Sequence, residues 1–231
     1  MCKAMKTRAL LFDFDGVVVD SEKFYTILWD ALGEEYLQRA DFGNTVKGST
    51  LNRILSTYFD DRKDLWPAIV ERLDEFEKNM PYDYIPGVVE FLKEGRQRGF
   101  SLAVVTSSNL QKMHSVYAKR PEIPELFDAI LTSEDFAASK PDPDCFLRGM
   151  ARFGTDAAHC VVFEDSVNGL KSGKASGALV IGLTTTNPPE VVREYSSLQI
   201  PDFTDKERIF EFIGDDFPQK GDGRGILRWI G

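Results

Sequence analysis

The chain has 231 residues, of which 42% are hydrophobic and 28% are charged, and its net charge is −9. This length and composition suit one large domain, or one domain with an insertion, and exclude a disordered or fibrous chain. The acidic balance disfavours a nucleic-acid partner, and any anionic substrate would need a local positive site.

Membrane and disulfide signals are missing from the sequence. No apolar run approaches the length of a membrane span, and residues 1–11 lack the apolar stretch of a signal peptide. The three cysteines, Cys2, Cys145 and Cys160, fit neither a zinc spacing nor a disulfide framework, so we expect reduced thiols with Cys145 and Cys160 partly in the core. We therefore predict a cytoplasmic protein without nucleic-acid or membrane partners, and we expect a monomer because nothing suggests an obligate partner chain.

The first predicted element is a strand at residues 8–14, which ends in acidic residues and Gly16. Residues 21–84 then lack any strand pattern. Their apolar spacing predicts helices at residues 22–32, 34–40, 51–58 and 65–80. Pro81 and Pro86-Gly87 mark the return to the sheet. We interpret residues 21–84 as a small all-helical cap domain inserted into a core domain of residues 1–20 and 85–231.

Strand and helix patterns alternate from residue 88 onward. The pattern predicts helices at residues 88–98, 143–153 and 167–175, and strands at residues 101–105, 129–131, 160–163 and 178–183. Near-continuous apolar strands are typical of burial on both faces, so the fold class is α/β, with a doubly wound, Rossmann-like parallel sheet. Ligands bind such folds beyond the carboxyl ends of the strands. The glycine-rich tail, residues 214–231, could be a loose extension or could dock on the body.

Asp13 and Asp15 end the first predicted strand and project to the same side because they are two residues apart. Adjacent carboxylates repel each other, so the pair invites a cation, and hard oxygen ligands suit Mg²⁺. One carboxylate could attack phosphorus while the other transfers a proton to and from oxygen. The alternative is a loop whose aspartates cap a turn before Gly16.

Four motifs follow one another at the ends of predicted strands. They are LFDFDGVVVDSE at residues 11–22, Thr106 after AVV, Lys140-Pro141 in SKPDPDCF, and Glu164-Asp165 in VVFEDSVNGL. Together they resemble the motifs of the haloacid dehalogenase superfamily of phosphotransferases, over about residues 7–213. The resemblance implies Asp13 as nucleophile, Asp15 as proton-transfer group, Thr106 and Lys140 as phosphoryl contacts, and Mg²⁺ held by Asp13, Asp15, Glu164 and Asp165.

Each motif also has a plain structural reading. Ser107 and Asn109 could donate to a phosphoryl oxygen beside Thr106, or they could cap the next helix. Lys140 could neutralise phosphoryl charge, or it could be an exposed lysine before a proline turn. Glu164 could ligate the metal or orient a ligand, whereas an isolated Glu-Asp pair is usually solvated surface.

The helical insertion and the DGVVVDSE string resemble the branch that contains β-phosphoglucomutases and phosphoglycolate phosphatases. Within it, Asp15 indicates phosphate-ester chemistry, because branches that release halide lack that aspartate. Tyr25 stands where the mutases carry a histidine, and Leu51 stands where they carry an arginine, although Arg53 and Lys78 could supply cap cations. These departures favour a phosphatase over a mutase, and we expect it to act on a small phosphorylated metabolite, with a sugar phosphate as the expected class. Inorganic pyrophosphate stays open as an alternative substrate, and the four intact motifs disfavour a non-catalytic binding protein.

Candidate substrate contacts in the cap complete the predicted site. They are Tyr25, Lys47, Gly48, Ser49 and Arg53, and the alternative for each is packing within the cap or a solvated helix face.

Overall fold

The computed structural model describes residues 8–214 of the 231. Its centre is a six-stranded sheet with the order β3-β2-β1-β4-β5-β6, and all five strand pairings are parallel. The strands are β1 (Arg8–Phe12), β2 (Phe100–Val105), β3 (Ala129–Leu131), β4 (Cys160–Glu164), β5 (Leu179–Leu183) and β6 (Leu198–Ile200). The predicted parallel α/β fold is confirmed.

Helices fall into two groups along the chain. The first group follows β1 directly and contains the α-helices α1 (Glu22–Leu37), α2 (Phe42–Val46), α3 (Leu51–Tyr58) and α4 (Trp66–Asn79). The second group begins with α5 (Val88–Gln97) and continues with α6 (Leu110–Lys119), α7 (Ile123–Leu126), α8 (Asp144–Arg152), α9 (Val167–Ser176), α10 (Pro189–Arg193) and α11 (Lys206–Ile213). No helix in residues 8–214 is long and apolar enough to cross a membrane.

Both faces of the sheet are covered. On one face, Phe12 stacks on Phe163 with ring centroids 4.6 Å apart, and Phe91 of α5 and Phe210 of α11 join the same cluster. On the other face, apolar residues of α8, α9 and α10 pack against the alternate strand residues, including Leu11. Because strand side chains alternate in direction, two apolar layers of this kind need strands that are apolar throughout, which explains the continuous runs in the sequence.

The helices α1 to α4 have an apolar core of their own, formed by Leu28, Trp29, Leu32, Phe42, Val46, Ile54, Leu55, Phe59, Ile69 and Leu73. The two segments that link them to the sheet run side by side, since Val19 forms an antiparallel bridge with Tyr84 and Asp20 N–H donates to Asp83 O at 2.8 Å. This arrangement supports the interpretation of residues 21–84 as an inserted cap, and the domain boundaries stay a prediction.

Two predicted helices, at residues 22–32 and 34–40, were wrong as separate elements. Gly33 lies inside one continuous helix, α1, and is buried. A Cβ atom at Gly33 would overlap the Cβ of Phe42, so the glycine allows α2 to approach closely and does not end the helix. The helix ends at Leu37 instead, where Gln38 takes a left-handed conformation with φ 52°.

The other predicted bounds agree with the structure to within one or two residues. The sequence prediction missed the helices α2, α6, α7, α10 and α11 and the edge strand β6. Apart from α6, these elements have three to eight residues, which is too short for a clear periodic pattern. Cys145 and Cys160 are buried free thiols, as expected. Cys2 and residues 215–231 of the tail lie outside the described residues.

Candidate active site

Three of the predicted motif residues directly follow three neighbouring strands in the middle of the sheet and lie at one edge of it. Asp13 follows β1, Thr106 follows β2, and Asp165 follows β4. All three side chains are buried, with 6%, 1% and 0% of their surface exposed. Since parallel strands end at the same edge, the fold itself brings together residues that are far apart in sequence.

Lys140 occupies the centre of this polar cluster. Its Nζ donates to Asp13 Oδ1 and to Glu164 Oε1, both at 2.7 Å, and to Val105 O at 3.2 Å. Its side chain is fully buried, and burial alone would lower its pKa, but the Asp13 and Glu164 carboxylates raise that pKa above the usual value. The exposed-lysine reading is therefore wrong, because Lys140 is a fixed, charged donor beneath Asp13.

Glu164 is held on both oxygens. Oε1 accepts from Lys140, and Oε2 accepts from the backbone N–H groups of Asp165 and Ser166 at 2.8 and 2.9 Å and from Ser166 Oγ at 3.1 Å. A Cβ atom at Gly169 would overlap this carboxylate, which explains the glycine in the first turn of α9. The geometry makes Glu164 an anchor for Lys140, and the solvated-surface reading is wrong because the side chain is buried.

Asp165 has one oxygen that is engaged and one that is not. Thr186 Oγ1 donates to Oδ2, and Asn187 Nδ2 donates to the backbone oxygen at 2.9 Å. Oδ1 is buried and has no hydrogen-bond partner. Burial raises the pKa of Asp165 well above its usual value, and the nearby Glu164, Glu22 and Asp13 carboxylates raise it further.

A cation fits this cluster. Asp13, Glu164 and Asp165 can each offer one carboxylate oxygen, and these atoms lie within 4.8 Å of one another. An orphaned buried oxygen costs free energy unless something binds it, and several buried carboxylates repel one another. Burial, together with Glu164 and Asp15, raises the pKa of Asp13 to about 7 despite the opposing effect of Lys140. A divalent cation would relieve both penalties, and carboxylate oxygens are the donors that Mg²⁺ prefers.

Asp15 is oriented differently from Asp13. Ser21 Oγ donates to its Oδ1, while Ser108 Oγ, at 3.0 Å, and Lys112 Nζ donate to its Oδ2. Within residues 8–214, the carboxylate oxygens that lie within 4.8 Å of one another belong to Asp13, Glu164 and Asp165, and Asp15 is not part of this cluster. Its predicted role as a metal ligand therefore has less geometric support than its predicted role in proton transfer.

The loop after β2 caps the next helix and contacts the helical insertion, and its predicted phosphoryl contacts stay a prediction. Thr106 Oγ1 accepts from Ser108 N–H at 3.0 Å, which leaves its own proton to be donated. Asn109 caps α6 by accepting from Lys112 N–H at 2.8 Å. Ser107 Oγ donates to Gly48 O at 3.2 Å, so it joins the loop to the helical insertion.

A cavity of about 90 Å³ lies between the sheet edge and the helical insertion. Asp13, Asp15 and Thr106 line its sheet side. Four of the predicted cap contacts also line it, namely Tyr25, Lys47, Gly48 and Ser49. Asn168 Nδ2 holds the Lys47 backbone oxygen at 3.0 Å, and a Cβ atom at Gly48 (φ 71°) would overlap Ser166, so the loop at residues 47–49 sits directly on the core.

Two predicted cap cations lie away from the cavity wall. Arg53 Nη1 donates to Lys140 O at 3.4 Å, a contact to the backbone behind the site. Lys78 lines a separate groove between α3 and α4. Since neither residue is among those that line the cavity, Arg53 has less support as a substrate contact than Lys47.

The sequence reading missed several polar residues of the site. Glu22, Glu77 and Lys112 line the cavity, and Thr186 orients Asp165. Burial and the Asp15 and Asp13 carboxylates raise the pKa of Glu22 to about 8. Burial also raises the pKa of Glu77 to about 6. Glu77 and Lys112 interrupt otherwise apolar helix faces, and that interruption is the signal that could have marked them.

Comparison with known proteins agrees with this geometry. A profile of the haloacid dehalogenase-like hydrolase family matches residues 10–183. The chain is 27% identical to hexitol phosphatase B of Escherichia coli over 184 residues, covering 73% of this chain and 79% of that protein. It is 26% identical to the β-phosphoglucomutase of Bacillus subtilis over 216 residues, covering 84% of this chain and 92% of that protein.

Among solved structures, CbbY from Rhodobacter sphaeroides in complex with phosphate has the same fold, with a TM-score of 0.65. The two chains are 23% identical, and the match covers 85% of this chain and 95% of that one. The family profile spans the strands that carry all four motifs. The chain therefore belongs to the haloacid dehalogenase-like hydrolase family, as an enzyme of its phosphatase type.

Proposed function

We propose that the protein is a Mg²⁺-dependent phosphatase that hydrolyses a small phosphorylated metabolite, with a sugar phosphate as the expected class. One observation carries the proposal: Asp13 reaches the cavity from the end of the central strand while its other neighbours are a buried ammonium and a buried, unsatisfied carboxylate oxygen. This is the arrangement expected where a carboxylate meets a phosphate dianion.

Asp13 is the proposed nucleophile. One of its carboxylate oxygens attacks phosphorus and the bond from phosphorus to the ester oxygen breaks, which leaves an aspartyl-phosphate. Water then attacks the same phosphorus, the acyl-phosphate P–O bond breaks, and inorganic phosphate leaves with Asp13 restored. Thr106 donates a hydrogen bond from its hydroxyl to a phosphoryl oxygen, and Lys140 offsets the negative charge that develops there.

Asp15 is the proposed proton-transfer group. It gives a proton to the departing ester oxygen in the first step and takes one from the attacking water in the second, so the protons balance over a turnover. Asp15 lines the cavity, and hydrogen bonds from Ser21, Ser108 and Lys112 fix the orientation of its carboxylate, which supports this role.

The proposed Mg²⁺ ligands are Asp13 and Asp165. Asp165 Oδ1 is buried without a partner, and the Asp13 carboxylate lies close to it. When bound, the ion would neutralise carboxylate charge and let a phosphate dianion approach Asp13. Glu164 would orient Lys140, since its oxygens already accept from four donors.

The substrate class rests on the cavity and on the relatives. The cavity is small and partly apolar, and its polar cap residues include Tyr25, Lys47, Ser49 and the carboxylates of Glu22 and Glu77. Hexitol phosphatase B is among the similar proteins and acts, by its name, on a sugar-alcohol phosphate. A mutase has less support because Tyr25, in place of the mutase histidine, is engaged with Glu77 at 2.8 Å.

The test is release of inorganic phosphate from a panel of phosphorylated metabolites, with and without Mg²⁺. The panel contains hexose and hexitol phosphates, phosphoglycolate, pyrophosphate and glucose 1-phosphate, and Asp13→Asn is the matched control. We expect Mg²⁺-dependent release from a sugar phosphate and none from the variant. Conversion of glucose 1-phosphate to glucose 6-phosphate without phosphate release would contradict the phosphatase proposal and indicate a mutase.

A further inference from the structure

Lys112 is a buried lysine that the mechanism above leaves unused. It lies on α6, one turn beyond the loop that carries Thr106, and only 4% of it is exposed. Its Nζ donates to Asp15 Oδ2 and lies 4.4 Å from the ring centroid of Tyr25. A buried ammonium is costly unless it is paired, so its position is determined by the groups around it.

The helical insertion supplies the other half of this environment. Tyr25 of α1 donates its hydroxyl to Glu77 Oε1 of α4 at 2.8 Å, and Tyr82 donates to the backbone oxygen of Glu77 at 3.0 Å. The Glu77 carboxylate is buried and close enough to Lys112 for the ammonium to oppose the rise in its pKa. Lys112 therefore lies between a carboxylate on the sheet side and an aromatic ring and a carboxylate on the cap side.

We propose that Lys112 is a positioning residue for proton transfer, which holds the Asp15 carboxylate in line with the departing ester oxygen. This role rests on the proposed function, because it needs Asp15 to be the proton donor. The two serine donors to Asp15 have hydroxyls that rotate, whereas Lys112 is a charged anchor on a core helix, with Tyr25 stacked against it. Proton donation depends steeply on such orientation.

The role predicts a dependence on the leaving group. An alkyl phosphate needs a proton on its departing oxygen, but p-nitrophenolate leaves without one. We therefore expect Lys112→Met to lower kcat/KM for the best alkyl phosphate of the panel by about 10- to 100-fold. For p-nitrophenyl phosphate we expect a fall of less than about 3-fold, because kcat/KM reports the step in which the leaving group departs.

Lys119→Met is the matched control. Lys119 lies two turns further along the same helix and donates to Met80 O at 3.1 Å, and it has no hydrogen bond to Asp15. Its loss should leave the ratio of kcat/KM for the two esters unchanged. Equal falls for both esters in Lys112→Met would assign Lys112 to phosphate binding or to folding and would overturn the proposal.

A double-mutant cycle supplies a second readout. If Lys112 acts through Asp15, Lys112→Met in an Asp15→Asn background should change kcat/KM for the alkyl ester by less than about 2-fold. A further large fall in that background would overturn the proposal. Wild-type protein that hydrolysed neither ester would defeat the proposed function itself, which is a different result.

Loss of Lys112 leaves Asp15 and Glu77 without their shared cation, so the single variant could fold poorly. The pair Lys112→Met/Glu77→Gln removes the uncompensated charge of Glu77 together with the lysine. Compared with Glu77→Gln alone, the double variant should have a lower kcat/KM for the alkyl ester and a nearly unchanged kcat/KM for p-nitrophenyl phosphate. Equal losses on both esters in this comparison would count against Lys112 as a positioning residue.

Discussion

On the sheet side of the cavity, polar side chains come from short segments that directly follow buried strands. On the cap side, polar side chains come from α1, α4 and the loop at residues 47–49, which pack on a separate apolar core. Asp13, Lys140 and Glu164 form a closed set of charged hydrogen bonds. Lys47, by contrast, lines the cavity with no ion pair to the rest of the described chain.

The comparison indicates which side chains of the site tolerate substitution and which do not. Buried charged groups with several partners have one arrangement, since a broken contact leaves a charge without compensation. Cap residues with fewer partners can change without that penalty. Substitutions on the sheet side should therefore cost both stability and activity, whereas those of cap residues with few partners, such as Lys47, should mainly change substrate affinity.

The largest effect is expected for Lys140→Met. The variant leaves Asp13 and Glu164 buried without their cation, and we expect a loss of about 3–5 kcal/mol in the free energy of unfolding, with activity reduced by at least about 100-fold. Urea denaturation and phosphate release measure the two quantities. Lys63→Met is the control, because Lys63 forms an exposed pair with Asp60 and should cost at most about 1 kcal/mol. Similar losses in both variants would contradict the comparison.

The second prediction concerns pH in the absence of metal. The pKa of Asp13 is raised from 3.8 to about 7, chiefly by burial, so the folded state binds this proton more tightly than the unfolded chain does. That stabilisation is complete below the ordinary value of 3.8 and is lost as pH rises through about 7. Asp13→Asn lacks the charge, so its stability relative to wild type should increase with pH, by on the order of 1–4 kcal/mol.

Denaturation at several pH values between 4 and 8 (about the range of the shift) measures this difference for the two proteins in chelator. Saturating Mg²⁺ should reverse the trend in wild type, because cation binding stabilises the folded state in which Asp13 is ionised. A difference that stayed constant with pH would show that Asp13 is not held protonated in the metal-free protein.

A smaller effect is expected for Gly169→Ala. The new Cβ would overlap the Glu164 carboxylate that anchors Lys140, so we expect a loss of about 1–3 kcal/mol and lower kcat/KM. Gly95→Ala is the matched substitution in α5, where the nearest atom would be Leu10 Cδ1 at 3.3 Å. There the gain in helix propensity offsets the tight contact, and stability should change by less than about 1 kcal/mol. Equal effects would argue against the anchoring role of Glu164.

The smallest effects are expected on the cap side. Lys47→Met removes a cation from the cavity wall and should raise KM by up to about 10-fold with kcat nearly unchanged. Arg53→Met removes only a 3.4 Å contact to Lys140 O and should change kcat/KM by less than about 3-fold. Steady-state kinetics on the best substrate of the panel measures kcat and KM for both variants. A larger effect from Arg53 than from Lys47 would reverse their assigned positions relative to the substrate.

The fold was predictable because its signals are local. Buried strands such as those at residues 101–105 and 160–163 are almost entirely apolar, and polar residues follow each of them directly. Gly33 misled the helix prediction because a glycine has the same appearance in sequence whether it ends a helix or allows a close approach. The strand β6 was missed because three residues carry almost no periodic signal.

The candidate site was predictable to the extent that its residues follow strands. Asp13, Thr106, Lys140 and Asp165 stand in ordered motifs whose spacing is itself a property of the sequence, and parallel strands carry them to one edge. Lys112 and Glu77 lie within helices and belong to no motif. Their proximity depends on how α4 packs against α6, which involves contacts between residues far apart in the chain.

The sequence by itself determined the α/β class, the inserted helices and the residues that carry the proposed chemistry. Only the tertiary structure decided that Glu164 anchors Lys140, that one oxygen of Asp165 remains unsatisfied, and that Lys112 reaches Asp15. The physical reason is that periodicity and turn preferences act over a few residues, whereas hydrogen-bond partners and burial are set by packing between distant segments.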